Sequence, residues 1–352
     1  MELTDRQKLV LYKIKKGVEG GVLQQTLGGY AGTGKTTLVR YITKFFPNFA
    51  VCAYTGKAAN VLRKKEIQAS TIHSLIYKPE YDYGVLVGFN LVDPQNFEYE
   101  GIIVDEASMV SSEIYSDLMS YELPTIYVGD HGQLKPIGTD FNLMEKPDYT
   151  LEEIHRNAGN IARFAERIRH GYKSTSFPET EEVSFRNHRK LTTDDLLSVD
   201  QVICAYNKTR VEMNARIREG LGFKGLLNVG ERVMCLKNNK SLGLFNGMQG
   251  IVRDLTEDTS GRKLMDLEFD NILYPKIWYD TKQFGKERPE FTYVGKVYPV
   301  PFDYAYCSTA HKAQGDEWEK VCVIEQRCAK WDHLRWAYTA ASRAKTKLLW
   351  AW

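Results

Sequence analysis

The sequence predicts an α/β protein with two parallel, doubly wound sheets, and three observations support that fold class. Short apolar segments alternate with helical ones through the first half of the chain. A similar series of apolar segments begins again near residue 199. Between the first two members of that second series lie short β-prone segments bounded by Gly, Asn and Asp. Strands that alternate with helices are typical of parallel sheets, whereas short strands joined by turns are typical of small barrels or meanders.

In the first half, the predicted strands occupy residues 22–27, 49–54, 101–108 and 125–130. The first strand leads through a glycine-rich stretch into a segment whose apolar residues have the spacing of one helix face: Leu38, Ile42 and Phe45. These segments predict one α/β domain over residues 1–150. An aromatic insertion at residues 78–100, with a glycine at its centre, predicts a β-hairpin within that domain.

In the second half, the predicted strands occupy residues 199–206, 302–310, 320–326 and 347–352. They predict a second α/β domain formed by residues 151–225 and 301–352. The β-prone segments at residues 226–300 predict a small barrel or meander inserted into that second domain.

Composition narrows the class of protein. The 352 residues are 43% hydrophobic and 26% charged, with a net charge of +2, so contact with nucleic acid would depend on local patches. No apolar run approaches the roughly 18 residues of a membrane span, and the N-terminus lacks a signal-peptide core, so we expect a cytoplasmic protein without a membrane partner. The six cysteines are scattered, which favours reduced core residues over disulfides or a zinc site.

The glycine-rich stretch GGYAGTGKTT, at residues 28–37, fits the pattern Gly, four residues, Gly-Lys-Thr. In that pattern backbone N–H groups surround a phosphate, a lysine adds positive charge, and a threonine hydroxyl can bind Mg²⁺. A glycine turn that binds nothing is the alternative, but the strand before the stretch and the helix after it favour a nucleoside triphosphate. The expected contacts are Gly29, Ala31, Gly32, Thr33, Gly34, Lys35, Thr36 and Thr37.

Polar residues at the ends of later strands complete a hydrolytic site. Asp105 and Glu106 follow an apolar strand, where one carboxylate can hold Mg²⁺ through water and the other can activate the attacking water. Gln133, after the next strand, is placed to bond the γ-phosphate. Gln7 could read an adenine edge, with a plain surface glutamine as the alternative. Arg156 and Arg343 are candidates to reach the γ-phosphate from the second domain.

At this point a family resemblance is evident. The motifs GGYAGTGKTT, AYTGKAANVL, STIHSL, IIVDEASM, VGDHGQLKPI, EIHRN, STAHKAQGDEWEKV and YTAASRAK occur in this order along nearly the whole chain. The set resembles superfamily-1 helicases of the B, 5′-to-3′, class and is most similar to the RecD and phage Dda group.

The resemblance implies two RecA-like lobes with ATP between them, an SH3-like barrel at residues 226–300 and a β-hairpin pin at residues 78–100. It implies the same site residues as the chemistry above: Lys35, Thr36, Asp105, Glu106, Gln133, Arg156 and Arg343. It also implies a single DNA strand lying across both lobes. The candidate contacts are Thr55, Lys57, Thr71, His73, Asn207, Lys208, Thr309, His311 and Lys312, although each of these histidines and threonines could instead be a loop or cap residue.

These observations predict an ATP- and Mg²⁺-dependent DNA helicase or translocase that moves 5′ to 3′ on single-stranded DNA. Phe89, in the hairpin, is the candidate wedge at a fork, with packing of the hairpin as the alternative. Expected partners are single-stranded and forked duplex DNA, with single-strand-binding, replication or recombination proteins as further candidates, and a monomer is expected. Two other interpretations stay open: a phosphotransferase, and an ATP-gated protein that clamps nucleic acid without moving.

Overall fold

The computed structural model describes residues 3–82, 85–135, 141–153, 159–237, 239, 242, 244, 246–269, 272–290, 298–327 and 331–352. The chain forms two compact units, Met1–Arg169 and His170–Trp352. The first unit therefore extends beyond the boundary of 150 suggested by the sequence, because the helix that ends at Arg169 belongs to it. Among the described ranges, no helix has the length and hydropathy needed to cross a membrane.

The first unit is built on a parallel sheet. The strands of this unit are β1 (Gln24–Gly29), β2 (Phe49–Ala53), β3 (Ser70–Thr71), β4 (Tyr77–Asp82), β5 (Val85–Leu91), β6 (Gly101–Asp105), β7 (Thr125–Gly129) and β8 (Tyr149–Leu151). The parallel sheet has the order β3-β2-β6-β7-β1-β8, while β4 and β5 form a separate antiparallel pair. This arrangement confirms the α/β class and gives the hairpin expected in this region.

The helices of this unit are α1 (Asp5–Glu19), α2 (Lys35–Phe45), α3 (Gly56–Lys64), α4 (Ile72–Ile76), α5 (Ser112–Met119) and α6 (Gly159–Arg169). Residues of α1, α2 and α3 pack in one apolar cluster with the sheet, and residues of α4 and α5 pack in another. Alternate residues of β6 enter different apolar clusters: Ile103 packs with α1 and α2, whereas Ile102 and Val104 pack with α4 and α5. A strand that is apolar on both faces belongs in the middle of a covered sheet, which is where β6 lies.

The second unit contains two sheets. Its strands are β9 (Val183–Arg186), β10 (Gln201–Cys204), β11 (Arg232–Cys235), β12 (Gln249–Glu257), β13 (Lys263–Phe269), β14 (Ile272–Trp278), β15 (Phe302–Tyr304), β16 (Cys307–Thr309), β17 (Trp318–Ile324) and β18 (Ala344–Ala351). Its helices are α7 (Thr193–Leu197), α8 (Asn207–Gly220) and α9 (His333–Ala341). One sheet is parallel, with the order β16-β10-β17-β18-β9, and the other is antiparallel, with the order β14-β13-β12-β11-β15.

The segment expected as one strand at residues 302–310 is divided between these two sheets, so that expectation is wrong. Tyr304 pairs with Val233 in the antiparallel sheet, and Cys307 pairs with Val202 in the parallel sheet. Both parts are buried, so the sequence carries no polar turn signal between them. The antiparallel sheet is the small β insertion, and its description as SH3-like stays a prediction.

Five cysteines are free and buried, in agreement with the expectation of core thiols: Cys52, Cys204, Cys235, Cys307 and Cys322. Burial raises the pKa of the Cys235 thiol to about 11. The sixth cysteine, Cys328, lies outside the described residues.

Candidate nucleotide and nucleic-acid site

The phosphate loop joins β1 to α2 and requires glycine at three positions. Gly32 and Gly34 have φ of +79° and +82°, a left-handed conformation in which a side chain is strained. A Cβ on Gly29 would lie 2.7 Å from Thr33 Oγ1. Gly34 immediately precedes α2, so the loop's backbone N–H groups meet the positive end of that helix dipole. The loop is therefore built as an anion cradle.

Lys35 folds back over this loop. Its ammonium donates hydrogen bonds to the carbonyls of Gly29 (2.7 Å) and Tyr30 (3.0 Å), and it lies 3.9 Å from Asp130 Oδ2. The side chain is 16% exposed. The Lys35 ammonium is therefore held beside the phosphate loop, as the sequence pattern requires.

Asp105 and Glu106 lie at the carboxyl end of β6. Burial raises the pKa of Asp105, while the backbone N–H of Glu106, 3.0 Å from Asp105 Oδ1, and the charge of Lys35 act in the opposite direction. Glu106 has a φ of +55°, which is unusual for a residue other than glycine. A left-handed conformation costs a residue with a side chain about 1–2 kcal/mol.

Asp130, which the sequence analysis did not single out, connects Lys35 with Gln133. Its side chain is 1% exposed, and its two oxygens accept from the backbone of Gly132 (2.9 Å) and from Gln133 Nε2 (3.2 Å). Asp130 directly follows the apolar strand β7, just as Asp105 is the last residue of the apolar strand β6. An aspartate at the end of an apolar strand is therefore the sequence signal that could have identified Asp130. The phosphate-loop lysine and the predicted γ-phosphate sensor thus share one carboxylate.

A second feature missed from the sequence is the environment of Tyr30, within the phosphate loop. Its ring centroid lies 4.1 Å from that of His131, and the guanidinium carbon of Arg169 lies 3.7 Å from the same centroid. Burial, followed by smaller contributions that include the charge of Arg169, lowers the pKa of His131. A cation–π contact between Arg169, the last residue of the first unit, and Tyr30 therefore stabilises the phosphate loop.

Gln7 is buried rather than a plain surface glutamine. Its Nε2 donates to the carbonyl of Thr33 (3.1 Å), and its Oε1 accepts from the backbone of Thr4 (3.0 Å) in the capping box that starts α1. The amide thus joins α1 to the phosphate loop. Its contact with adenine stays a prediction, as do the nucleotide contacts of Ala31, Thr36 and Thr37.

Most of the candidate nucleic-acid residues of the first unit lie after β2 or at the end of β3 and just after it. Thr55 caps α3 and Thr71 caps α4, each accepting from a backbone N–H at 3.1 Å. The cap role is thus observed for both, and DNA contact stays a prediction. The His73 ring lies 5.5 Å from the Tyr77 ring. The side chains of Lys57, in α3, and Phe89, in β5, lie outside the described part of the chain.

In the second unit the candidates gather at adjacent strand ends, because β10 pairs with β16. Asn207 and Lys208 follow β10, and Lys208 is exposed. Thr309 ends β16, and His311 and Lys312 follow it. Burial lowers the pKa of His311. Burial, together with the nearby charge of Arg210 in α8, lowers the pKa of Lys312 to about 8.

Two rings missed from the sequence lie beside these residues. The Trp331 ring centroid is 5.6 Å from that of Tyr206 and 6.1 Å from that of His311. Tyr206 is exposed. Aromatic faces next to cationic side chains suit the stacking of nucleic-acid bases. Tyr206 directly precedes Asn207, whereas Trp331 lies far from the other residues in sequence, so no local motif could have added Trp331 to the group.

Arg343 is buried at the end of α9, within the second unit. Its guanidinium donates to the carbonyls of Thr339 (3.0 Å) and Asp316 (3.1 Å) and to Ser342 Oγ (2.9 Å). The side chain therefore has a structural role here, and its catalytic role stays a prediction. Arg156 lies outside the described residues.

Comparisons with known proteins bear on the family of the chain. A family model described as an AAA domain matches residues 3–188, and one described as a UvrD-like helicase C-terminal domain matches residues 304–349. The chain is 26% identical over 380 residues to the ATP-dependent RecD2 DNA helicase of Deinococcus radiodurans, covering 95% of this chain and 49% of that protein. It is 29% identical over 189 residues to the ATP-dependent DNA helicase dda of phage T4, covering 48% and 43%.

Among solved structures, Bacteroides Pif1 bound to ssDNA superposes with a TM-score of 0.61 at 20% identity, covering 99% of this chain and 92% of that one. That likeness supports the fold. The chain spans about half the length of the RecD2 and Dda relatives. The match over more than half of its residues shows that the chain belongs to the AAA domain family.

Proposed function

We propose that this chain is an ATP-dependent motor that moves 5′ to 3′ on single-stranded DNA and separates the strands of a duplex. The observation that carries the proposal is the connected set at the carboxyl edge of the first sheet. There, Lys35 lies over the phosphate loop and shares Asp130 with Gln133. Because both side chains contact Asp130, a change at Gln133 can be transmitted to Lys35 and the phosphate loop. A motor needs such coupling between the γ-phosphate sensor and the loop, and a passive nucleotide site does not.

Glu106 is the proposed base for the attacking water. Mg²⁺ fits the oxygen donors at this edge, with Thr36 and Asp105 as the residues that would hold it. The ion would supply positive charge at the β- and γ-phosphates. The burial that raises the pKa of Asp105 and the opposing charge of Lys35 are consistent with a carboxylate prepared for a cation.

Arg343 is proposed to add positive charge at the γ-phosphate, as the resemblance implies, and Arg156 is proposed for the same task. Arg343 would then have to exchange the carbonyls of Thr339 and Asp316 for phosphate. Such an exchange would couple the nucleotide state to the end of α9. We propose that this coupling changes how the two units hold the DNA strand during each cycle.

The experiment that tests the function is strand displacement on duplexes with a 5′ or a 3′ single-stranded tail, made of DNA or RNA. We expect ATP-dependent displacement with the 5′ DNA tail and none with the 3′ tail. Glu106→Gln is the matched control, since the amide keeps the shape and removes the base. It should bind ATP and single-stranded DNA without displacing a strand.

Two other outcomes would replace the proposal. ATP-dependent retention of DNA without displacement or movement would indicate a clamp, the interpretation that the sequence left open. Phosphate transfer to a small acceptor, with no stimulation of hydrolysis by DNA, would indicate a phosphotransferase. For the wedge, Phe89→Ala should reduce displacement while DNA-stimulated ATP hydrolysis continues, and loss of both would indicate that Phe89 packs the hairpin.

A further inference from the structure

The base of the hairpin β4–β5 is attached to the segment that starts with α5, and this attachment has no role in the site described above. Ile76 directly precedes β4, and Val92 directly follows β5. The Val92 N–H donates to the Ile76 carbonyl at 2.8 Å, which closes the base. The Tyr121 hydroxyl lies 2.8 Å from the Val92 carbonyl oxygen and 3.3 Å from that of Ile76. One buried hydroxyl therefore contacts both ends of the hairpin.

A second hydroxyl holds the first residue of β4. The Tyr77 hydroxyl donates a hydrogen bond to the Asp117 carboxylate, and Asp117 lies in α5. Hydrogen bonds to an ionised acceptor are about twice as strong as neutral ones. Burial, followed by nearby carboxylates, raises the pKa of Tyr121 to about 12, so its hydroxyl keeps the proton that it donates. The contacts of the Tyr121 hydroxyl therefore persist at neutral pH.

The segment that carries these contacts, α5 and the residues up to Tyr121, follows β6 in the chain. Glu106 follows β6, a short 3-10 turn Ala107–Met109 comes next, and Ser111 caps α5. Tyr115, in the same helix, bonds Gln24 of β1 at 2.5 Å. The helix is thus fixed to the sheet on one side and to the hairpin on the other.

We propose that Tyr77, Asp117 and Tyr121 are positioning residues that fix the base of the hairpin to α5 and the residues directly after it, so that the hairpin can resist a duplex as the motor advances. The proposal rests on the proposed function and adds the residues that hold the separating element. A hairpin of two strands is only marginally stable in water by itself. Force at its tip would be absorbed by bending at the base unless side chains held that base.

The test compares Tyr121→Phe and Tyr77→Phe with Tyr115→Phe. All three remove one hydroxyl and keep the ring, but the Tyr115 hydroxyl contacts β1 rather than the hairpin. Amide hydrogen exchange at residues 77–92 is the first measurement. We expect exchange to be about fivefold faster in Tyr121→Phe and about thirtyfold faster in Tyr77→Phe, with no change in Tyr115→Phe. Unchanged exchange in both hairpin variants would overturn the proposal.

The second measurement is the number of base pairs separated per ATP hydrolysed on a 5′-tailed duplex. We expect it to fall severalfold in the two hairpin variants, while ATP turnover and its KM on single-stranded DNA stay at the wild-type values. Equal loss of both activities would reveal a general structural role and overturn the proposal. If the wild-type chain separates no duplex, the proposed function fails, while the exchange experiment still decides whether these hydroxyls hold the hairpin.

Discussion

Replacing Glu106 by glycine should stabilise the first unit while abolishing ATP hydrolysis. Glu106 has a φ of +55°, and a left-handed conformation costs an L-residue about 1–2 kcal/mol. Glycine removes that cost but loses roughly 0.5–1 kcal/mol of unfolded-chain entropy on folding. The net gain in the free energy of unfolding is therefore about 0.5–1 kcal/mol, or roughly 1–4 °C in the melting temperature of a unit of this size.

The control is Glu122→Gly, because Glu122 has a φ of +53°, is exposed and lies outside the nucleotide site. It should give a similar rise in melting temperature and keep wild-type hydrolysis. The assay is calorimetry of the first unit's transition together with DNA-stimulated ATP turnover. A lower melting temperature for Glu106→Gly beside a higher one for Glu122→Gly would refute the reasoning, because the Glu106 backbone would then carry no strain that glycine relieves.

Three further predictions concern charged groups. Lys35→Ala should lower ATP turnover by more than about a hundredfold, because the cradle loses the ammonium that Asp130 and the loop carbonyls hold; near-normal turnover would contradict the site assignment. Arg343→Ala should lower turnover by on the order of 10³ and also lower the melting temperature, since its buried partners lose their donors; a lower melting temperature with unchanged turnover would leave only the structural role. Affinity for single-stranded DNA should fall as pH rises through about 8, because Lys312 loses its proton there. The Kd for single-stranded DNA, measured as a function of pH, should lose that dependence in Lys312→Arg. A wild-type Kd that does not change with pH would show that Lys312 does not contact the strand.

The features that could be predicted from the sequence are those that depend on short contiguous segments. The phosphate loop, the carboxylates after β6 and the alternation of strands and helices each occupy a few neighbouring residues, so their chemistry can be recognised without a structure. Asp130 could have been found by the same rule. The contact of Arg169 with Tyr30 could not, because it joins a helix end to a loop far away in the chain.

Two other differences have physical causes. The capping roles of Thr55 and Thr71 depend on where α3 and α4 begin, and a threonine before a helix is compatible with either a cap or a ligand contact. The change of sheet between β15 and β16 left no turn signal in the sequence, because the residues that join the two strands, Ala305 and Tyr306, are buried. Patterns of hydrophobicity report burial, and they do not report which sheet a buried strand joins.

The passage from β15 to β16 also limits how the insertion could be transplanted or removed. A graft cut at residues 226 and 300 would leave Phe302–Tyr304 behind, and β11 would become an open edge able to pair with another chain. The same cut would part Asp303 from its sheet, although Asp303 forms a buried ion pair with Arg210 of α8. A recombinant module that keeps its own edge closed must therefore continue through Tyr304, and the acceptor must supply a cation in place of Arg210.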